Sequence, residues 1–227
     1  KDGRDANSGR KVSDSKATIK SAVSAASTLP GSVVKVFAGT YVENNPIKCG
    51  PQVSIVGDSL REVTVIPQNA NQDLFHVAPG DLISDMSFTG TVNPGKAIIA
   101  FDPDAIRYSA QSPYLLNCTN FVTNSIGMKI DGNHAIGPFK SFVTDSFTQY
   151  NQNGIGCSIT NEGYAQIVSM FTINSDIGIF CGSGGQCDVT NSNSSFGNFG
   201  LVADGVGPQQ FTGVISATSA VNADTFT

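Results

Sequence analysis

The sequence has no tryptophan and only two histidines, His76 and His134. Charged residues make up 14% of its 227 residues, well below the usual quarter. The formal net charge of −5 comes with no basic stripe, which argues against nucleic acid as a partner. There are five cysteines, Cys49, Cys118, Cys157, Cys181 and Cys187, and no CxxC pair among them. With so few histidines this excludes the usual zinc spacings. No apolar run approaches the roughly 18 residues of a membrane-crossing helix, so no membrane span is expected. No basic n-region followed by an apolar h-region opens the chain. It starts at Lys1 without Met and is read as processed or incomplete.

What is present is Ser, Thr, Asn, Gly and 14 Phe, with 40% apolar residues. That is enough to bury a core, and the polar part favours turns and stacked strands over helices. Internal repetition is the strongest signal. Ile155-Gly156-Cys157, Ile177-Gly178-Ile179 and Phe199-Gly200-Leu201 follow one another at 22-residue intervals, and Ile126-Gly127-Met128 precedes them. Strand-like segments upstream end in Phe88, Phe121, Phe147, Phe171 and Phe196, spaced 33, 26, 24 and 25 apart.

A β-rich period of about 20–25 residues without the leucine-rich signature points to a parallel β-solenoid. Phe and Ile are expected to stack in inward ladders. The glycine of each IGx triplet is expected at a bend, and the many Asn at turns, where they tolerate left-handed geometry. Residues 1–30 read as an N-terminal segment holding a helix over 16–28, with Ser or Asp as its cap, that covers one end. Residues 31–227 read as one continuous solenoid of about eight coils. Strands are expected at 33–37, 53–57, 63–66 and 74–77. Residues 93–113 are expected to form a loop that lengthens one coil and is a natural place for binding function.

The run Val34 to Glu43, then Val56-Gly57-Asp58 and Thr64-Val65-Ile66, resembles the opening of right-handed parallel β-helix proteins of the pectin-lyase-like superfamily. The whole chain is similar to β-helix structural proteins of marine cyanophages. The resemblance implies an all-β, single-stranded right-handed parallel β-helix with a short N-terminal capping helix. It implies no particular chemistry, because the matching residues are strand cores and turns. The pectinesterase DFIFG stretch is absent, as are the polygalacturonase NTD, DD, GHG and RIK strings.

One constellation invites chemistry: Asp102 and Asp104 around Pro103, followed by Arg107 and Tyr108. Two carboxylates can divide acid and base roles or hold Ca²⁺, and they can equally be a solvated turn. His76 is expected on a strand beside solvent or a polar neighbour, and His134 in a turn. Cys157 and Cys181, one coil apart, are expected to stack. Cys181 and Cys187 bracket GSGGQ and either close as a hairpin disulfide or remain free. No catalytic, cofactor or metal residues are assigned.

The functional expectation is a non-enzymatic structural protein, extracellular or virion-associated, that self-assembles as a fibre, appendage or decoration. The strand-like end at 211–227 is expected to contact another chain or a further domain. The alternative is a polysaccharide-binding or depolymerising tailspike-like protein, with Tyr41, Tyr108, Tyr114, Tyr150 and Tyr164 stacking on sugars. A pectinesterase or lyase is a third reading.

Overall fold

The computed structural model describes residues 3–50, 52–105, 110–134 and 140–205. Among the described residues the chain folds as an all-β structure with one α-helix, and every strand pairing is parallel. Thr18 caps helix α1 (Ile19–Ala26) by accepting a hydrogen bond from the Ser21 N–H. The expected Ser or Asp cap is thus Thr18. Ile19 and Val23 lie buried on the helix face that joins the core.

Among the described residues the chain then makes seven passes, one for each strand of the smaller sheet. The first holds β1 (Val33–Val36), β2 (Gly39–Glu43) and β3 (Ile47–Lys48). The second holds β4 (Ser54–Gly57), β5 (Val63–Pro67) and β6 (Phe75–Val77). The third holds β7 (Leu82–Phe88) and β8 (Ala97–Phe101), and the fourth β9 (Tyr114–Asn120) and β10 (Ile126–Asp131). The fifth holds β11 (Ser141–Gln149) and β12 (Ile155–Thr160). The sixth is β13 (Tyr164–Val168), β14 (Phe171–Ile173) and β15 (Ile177–Gly182). The seventh is β16 (Gln186–Thr190), β17 (Asn193–Ser195) and β18 (Phe199–Asp204). An eighth coil would fall at 206–227, outside the described residues.

Two sheets face each other across one core. Phe75 meets Phe88 with centroids 6.0 Å apart, and Phe101 meets Phe142 at 5.9 Å, each contact joining the two sheets. Register stacks like positions of successive passes. One inward column of the smaller sheet runs Ile47, Phe75, Ile99, Met128, Cys157, Ile179, Leu201. One of the larger sheet runs Val34, Ile55, Ile83, Leu115, Thr144, Ile167, Val189. The 22-residue spacing of the IGx triplets matches the observed register, since Ile155, Ile177 and Phe199 lie side by side.

Several expectations are corrected. The five Phe are not one ladder. Phe88 and Phe147 are fully buried, but Phe121 and Phe171 are 40% exposed and Phe196 is 87% exposed. Register aligns Phe88 with Asn120, Gln149 and Thr172 instead. An unequal number of residues per pass moves each Phe to a different face, because a one-residue slip reverses a side chain.

The glycines of the IGx triplets are not bends either. Gly127, Gly156, Gly178 and Gly200 lie second in β10, β12, β15 and β18. A Cβ at Gly127 would come 1.6 Å from the Gln149 Oε1, and one at Gly156 2.4 Å from the Thr172 Cγ2. Gly127, Gly156 and Gly178 give the inward side chains of the opposite sheet room. The bends use small polar residues in left-handed geometry. One column is Asp85, Asn117, Ser146, Ser169 and Asn191, with φ of 58, 48, 57, 51 and 49°. Asn117 Nδ2 donates to Asp85 Oδ1 at 2.7 Å, tying neighbouring bends together. Asn and Asp tolerate this region better than most residues.

Residues 93–113 are only partly a loop. Ala97–Phe101 is a buried strand of the smaller sheet, recruited by its apolar AIIAF sequence.

Candidate functional site

The outer face of the smaller sheet brings together a group of ionisable side chains from three passes. Register places Lys48 beside His76, and His76 beside Ala100. Asp73 precedes β6 and accepts the Ala97 N–H at 2.7 Å. Asp102 follows β8, whose end is fixed by the Asp102 N–H donating to Val77 O at 2.8 Å. Local strand pairing thus collects Lys48, Asp73, His76, Asp102 and Asp104 from three passes.

His76 is only 8% exposed. Its Nε2 lies 3.1 Å from Asp73 Oδ2, and its Nδ1 3.9 Å from Asp102 Oδ1. Nδ1 has no hydrogen-bond partner among the described residues. Lys48 pairs closely with Asp104 and reaches within 3.9 Å of Asp102. Asp102 Oδ1 accepts the Asp104 N–H at 3.0 Å, forming an Asx turn.

Electrostatics follow from these contacts. Burial works to raise the Asp73 pKa, but hydrogen bonds from His76 and the Ala97 N–H outweigh it and leave it lowered. The hydrogen bond from Lys48 holds the exposed Asp104 carboxyl below its usual value. That is the reverse of the raised pKa a general acid needs, so Asp104 is poorly suited to donate a proton. Behind the cluster, Asp81 is 2% exposed. Burial pushes its pKa up to about 7, with the nearby Asp102 adding to the rise. The Ala78 and Val53 N–H groups, at 2.7 and 3.0 Å, oppose it. The cluster is a set of mutually paired charges. Among the described residues no three His, Cys, Asp or Glu side chains converge to hold a metal ion.

Of the sequence constellation, Asp102 and Asp104 meet Lys48 and His76, while Arg107 and Tyr108 lie outside the described residues. Sequence reading missed Lys48 and Asp73. Their only local signal was polar residues flanking short apolar strands. Asp73 meets His76 three residues on, but Lys48 reaches Asp104 across 56 residues, which needs the register. His76 has the polar neighbours expected of it. His134 lies with its Nδ1 4.0 Å from Asp131 Oδ2. Cys157 and Cys181 do not stack, because register pairs Cys157 with Ile179 and Cys181 with Ile159.

Two surface features carry apolar chemistry. Phe121 and Tyr150, on adjacent passes, are 40% and 44% exposed with centroids 6.5 Å apart. Asn174 Nδ2 donates to the Tyr150 hydroxyl at 2.7 Å and steadies the ring. Tyr41, Tyr114 and Tyr164 are half-buried, so they are not the exposed stacking surfaces expected of them, and Tyr108 lies outside the described residues.

The second feature is the seventh pass. Val189, Phe199 and Leu201 are 46%, 57% and 72% exposed. Val189 and Leu201 continue columns that are buried in earlier passes. A groove of about 570 Å³ lies at the opposite end, between the N-terminal segment, α1 and β1. No described helix is long and apolar enough to cross a membrane. Comparisons with protein-family models, with curated proteins and with solved structures find no match for this chain.

Proposed function

We propose that the chain is a non-enzymatic structural protein, a right-handed parallel β-helix of pectin-lyase-like type, that assembles with further copies of itself. The exposed seventh pass carries this reading. The inward columns ending in Val189 and Leu201 reach solvent there, and Phe199 extends the apolar face. Among the described residues β16, β17 and β18 pair only on the side of the sixth pass. Strand edges that no described residue pairs, flanked by core-type side chains, form a template for another chain. A second copy supplies matching parallel or antiparallel edges and an apolar surface. The solenoid reading is supported by uniformly parallel pairing that advances one pass at a time. An extracellular or virion-associated setting, as an appendage, fibre or decoration, belongs to the same proposal.

Sedimentation velocity of the full chain over a hundredfold concentration range tests it. Oligomers are expected for the parent chain, and dissociation for the Phe199→Glu, Leu201→Glu double variant. Both positions are solvent-exposed, so the fold is expected to survive. A compact monomer at the highest concentration overturns the proposal.

The Phe121–Tyr150 pair favours a second reading, binding of an extended polysaccharide. Outward aromatic rings on stacked passes offer adjacent faces for sugar rings. A glycan array with a reducing-sugar assay tests this. Binding without cleavage that is lost in Tyr150→Ala supports it, and no binding sinks it.

A further inference from the structure

We propose that Cys181 and Cys187 are a modification site that closes into an intrachain disulfide in an oxidising thiol–disulfide environment. Their sulfurs lie 3.7 Å apart as free thiols. They sit at the end of β15 and the start of β16, on the two sides of the corner between the sixth and seventh passes. Both are half-buried and pack against the core, so a small oxidant can reach them without unfolding of the chain. The corner between them is a tight turn in which the Gly185 N–H donates to Gly182 O at 3.0 Å. Ser183 and Gly184 take left-handed φ of 50 and 79° there. Bonding needs the sulfurs to approach from 3.7 Å to about 2.05 Å.

The chemistry balances with a small-molecule disulfide such as oxidised glutathione. One cysteine thiolate attacks it, forming a mixed disulfide and releasing one glutathione thiolate. The second cysteine thiolate displaces the remaining glutathione. Two protons leave the protein, and two electrons reduce one glutathione disulfide to two thiols. Burial, with Cys187 alongside, pushes the Cys181 pKa up to about 12, so the exchange is slow at neutral pH and faster under alkaline conditions. Cys157 is the competing thiol, but it is fully buried in the preceding passes.

The bridge would fasten the corner that leads into the exposed seventh pass. It is independent of what that pass binds.

The test is mass spectrometry on the full chain after incubation with oxidised glutathione at pH 8.5, alkylation in denaturant, and chymotryptic digestion. Cleavage after Phe180 and Phe196 places both cysteines on one peptide, residues 181–196, away from Cys157. The expected result is that peptide lighter by two hydrogens and unalkylated, with Cys157 alkylated. The mass loss should vanish in Cys187→Ser. The melting temperature should rise by about 5 °C in the oxidised protein over the same sample in dithiothreitol. Alkylation of both Cys181 and Cys187 after oxidation overturns the proposal. So does a stable glutathione adduct on either, or a bridge that includes Cys157.

Discussion

Replacing Gly156 by Ala tests the reasoning about how the two sheets fit together. Gly156 sits inside β12 with its missing side chain directed at the opposite sheet. A Cβ there would lie 2.4 Å from the Thr172 Cγ2 and 2.4 Å from the Gly178 carbonyl oxygen. Ordinary carbon contacts begin about 1 Å further out. The Thr172 methyl can turn aside. The carbonyl cannot, because it belongs to the next strand of the parallel ladder. Its displacement would strain hydrogen bonds along β15. Overpacking of this kind costs about 1–3 kcal/mol, and a backbone obstacle belongs in the upper half of that range.

Gly200 is the internal control. It occupies the same column one pass beyond Gly178, yet among the described residues its nearest neighbour would be the Ser194 Cβ at 3.9 Å. Gly200→Ala is expected to be neutral, or to stabilise by about 0.4–1 kcal/mol through the unfolded chain. The two substitutions, chemically identical, should therefore differ by about 3 kcal/mol, or roughly 6–12 °C in melting temperature. Urea unfolding followed by circular dichroism measures the difference, with the m-value checking that the unfolded state is unchanged. Thr172→Ser added to Gly156→Ala should restore only a part, since the Gly178 oxygen stays in place. If Gly156→Ala and Gly200→Ala unfold within about 0.5 kcal/mol of each other, the reading of these glycines as space for opposing side chains is wrong.

The other predictions concern the core and its charges. Phe88→Ala or Phe147→Ala should cost about 3–5 kcal/mol, while Phe121→Ala or Phe171→Ala should cost under about 1 kcal/mol, by the same denaturation assay. Equal losses at all four positions would restore the single phenylalanine ladder. Asp81 has a folded pKa of about 7 against an ordinary 3.8, so the native state keeps a proton that the unfolded chain releases. Its contribution is fully present below about pH 4 and is lost as pH rises through 7, by up to roughly 4 kcal/mol. Urea midpoints from pH 4 to 8 should show this fall, and Asp81→Asn should flatten it. An unchanged slope in the variant would move the titration elsewhere.

The repeat was legible because it is written in local composition. The Gly-centred triplets at 155, 177 and 199 fall 22 residues apart, and the structure sets them side by side. The amphipathic spacing of Ile19, Val23 and Ala26 announced α1, and short apolar runs announced β1, β4, β5 and β6. The same local reading failed where identity and direction part company. Phe171 looks like Phe147 in sequence, and both passes bend at the same column, at Ser146 and Ser169. Phe171, however, falls one residue later than Phe147, beside Thr148, and so points outward. AIIAF was hidden inside a segment that its Pro, Gly and Asp neighbours made look like loop.

The ionic cluster was less legible still. Asp102 and Asp104 stood out as a pair, but Lys48 and His76 reach them only through parallel register across passes, which no short window of sequence contains.

The sequence by itself determined that this is a repetitive, strand-rich chain with a short N-terminal helix, because period, turn residues and apolar content act locally. Only the tertiary structure decided which phenylalanines are core, which glycines make room and which charges meet. Those outcomes depend on the phase of each pass against its neighbours, and a shift of one residue reverses the face on which a side chain lies.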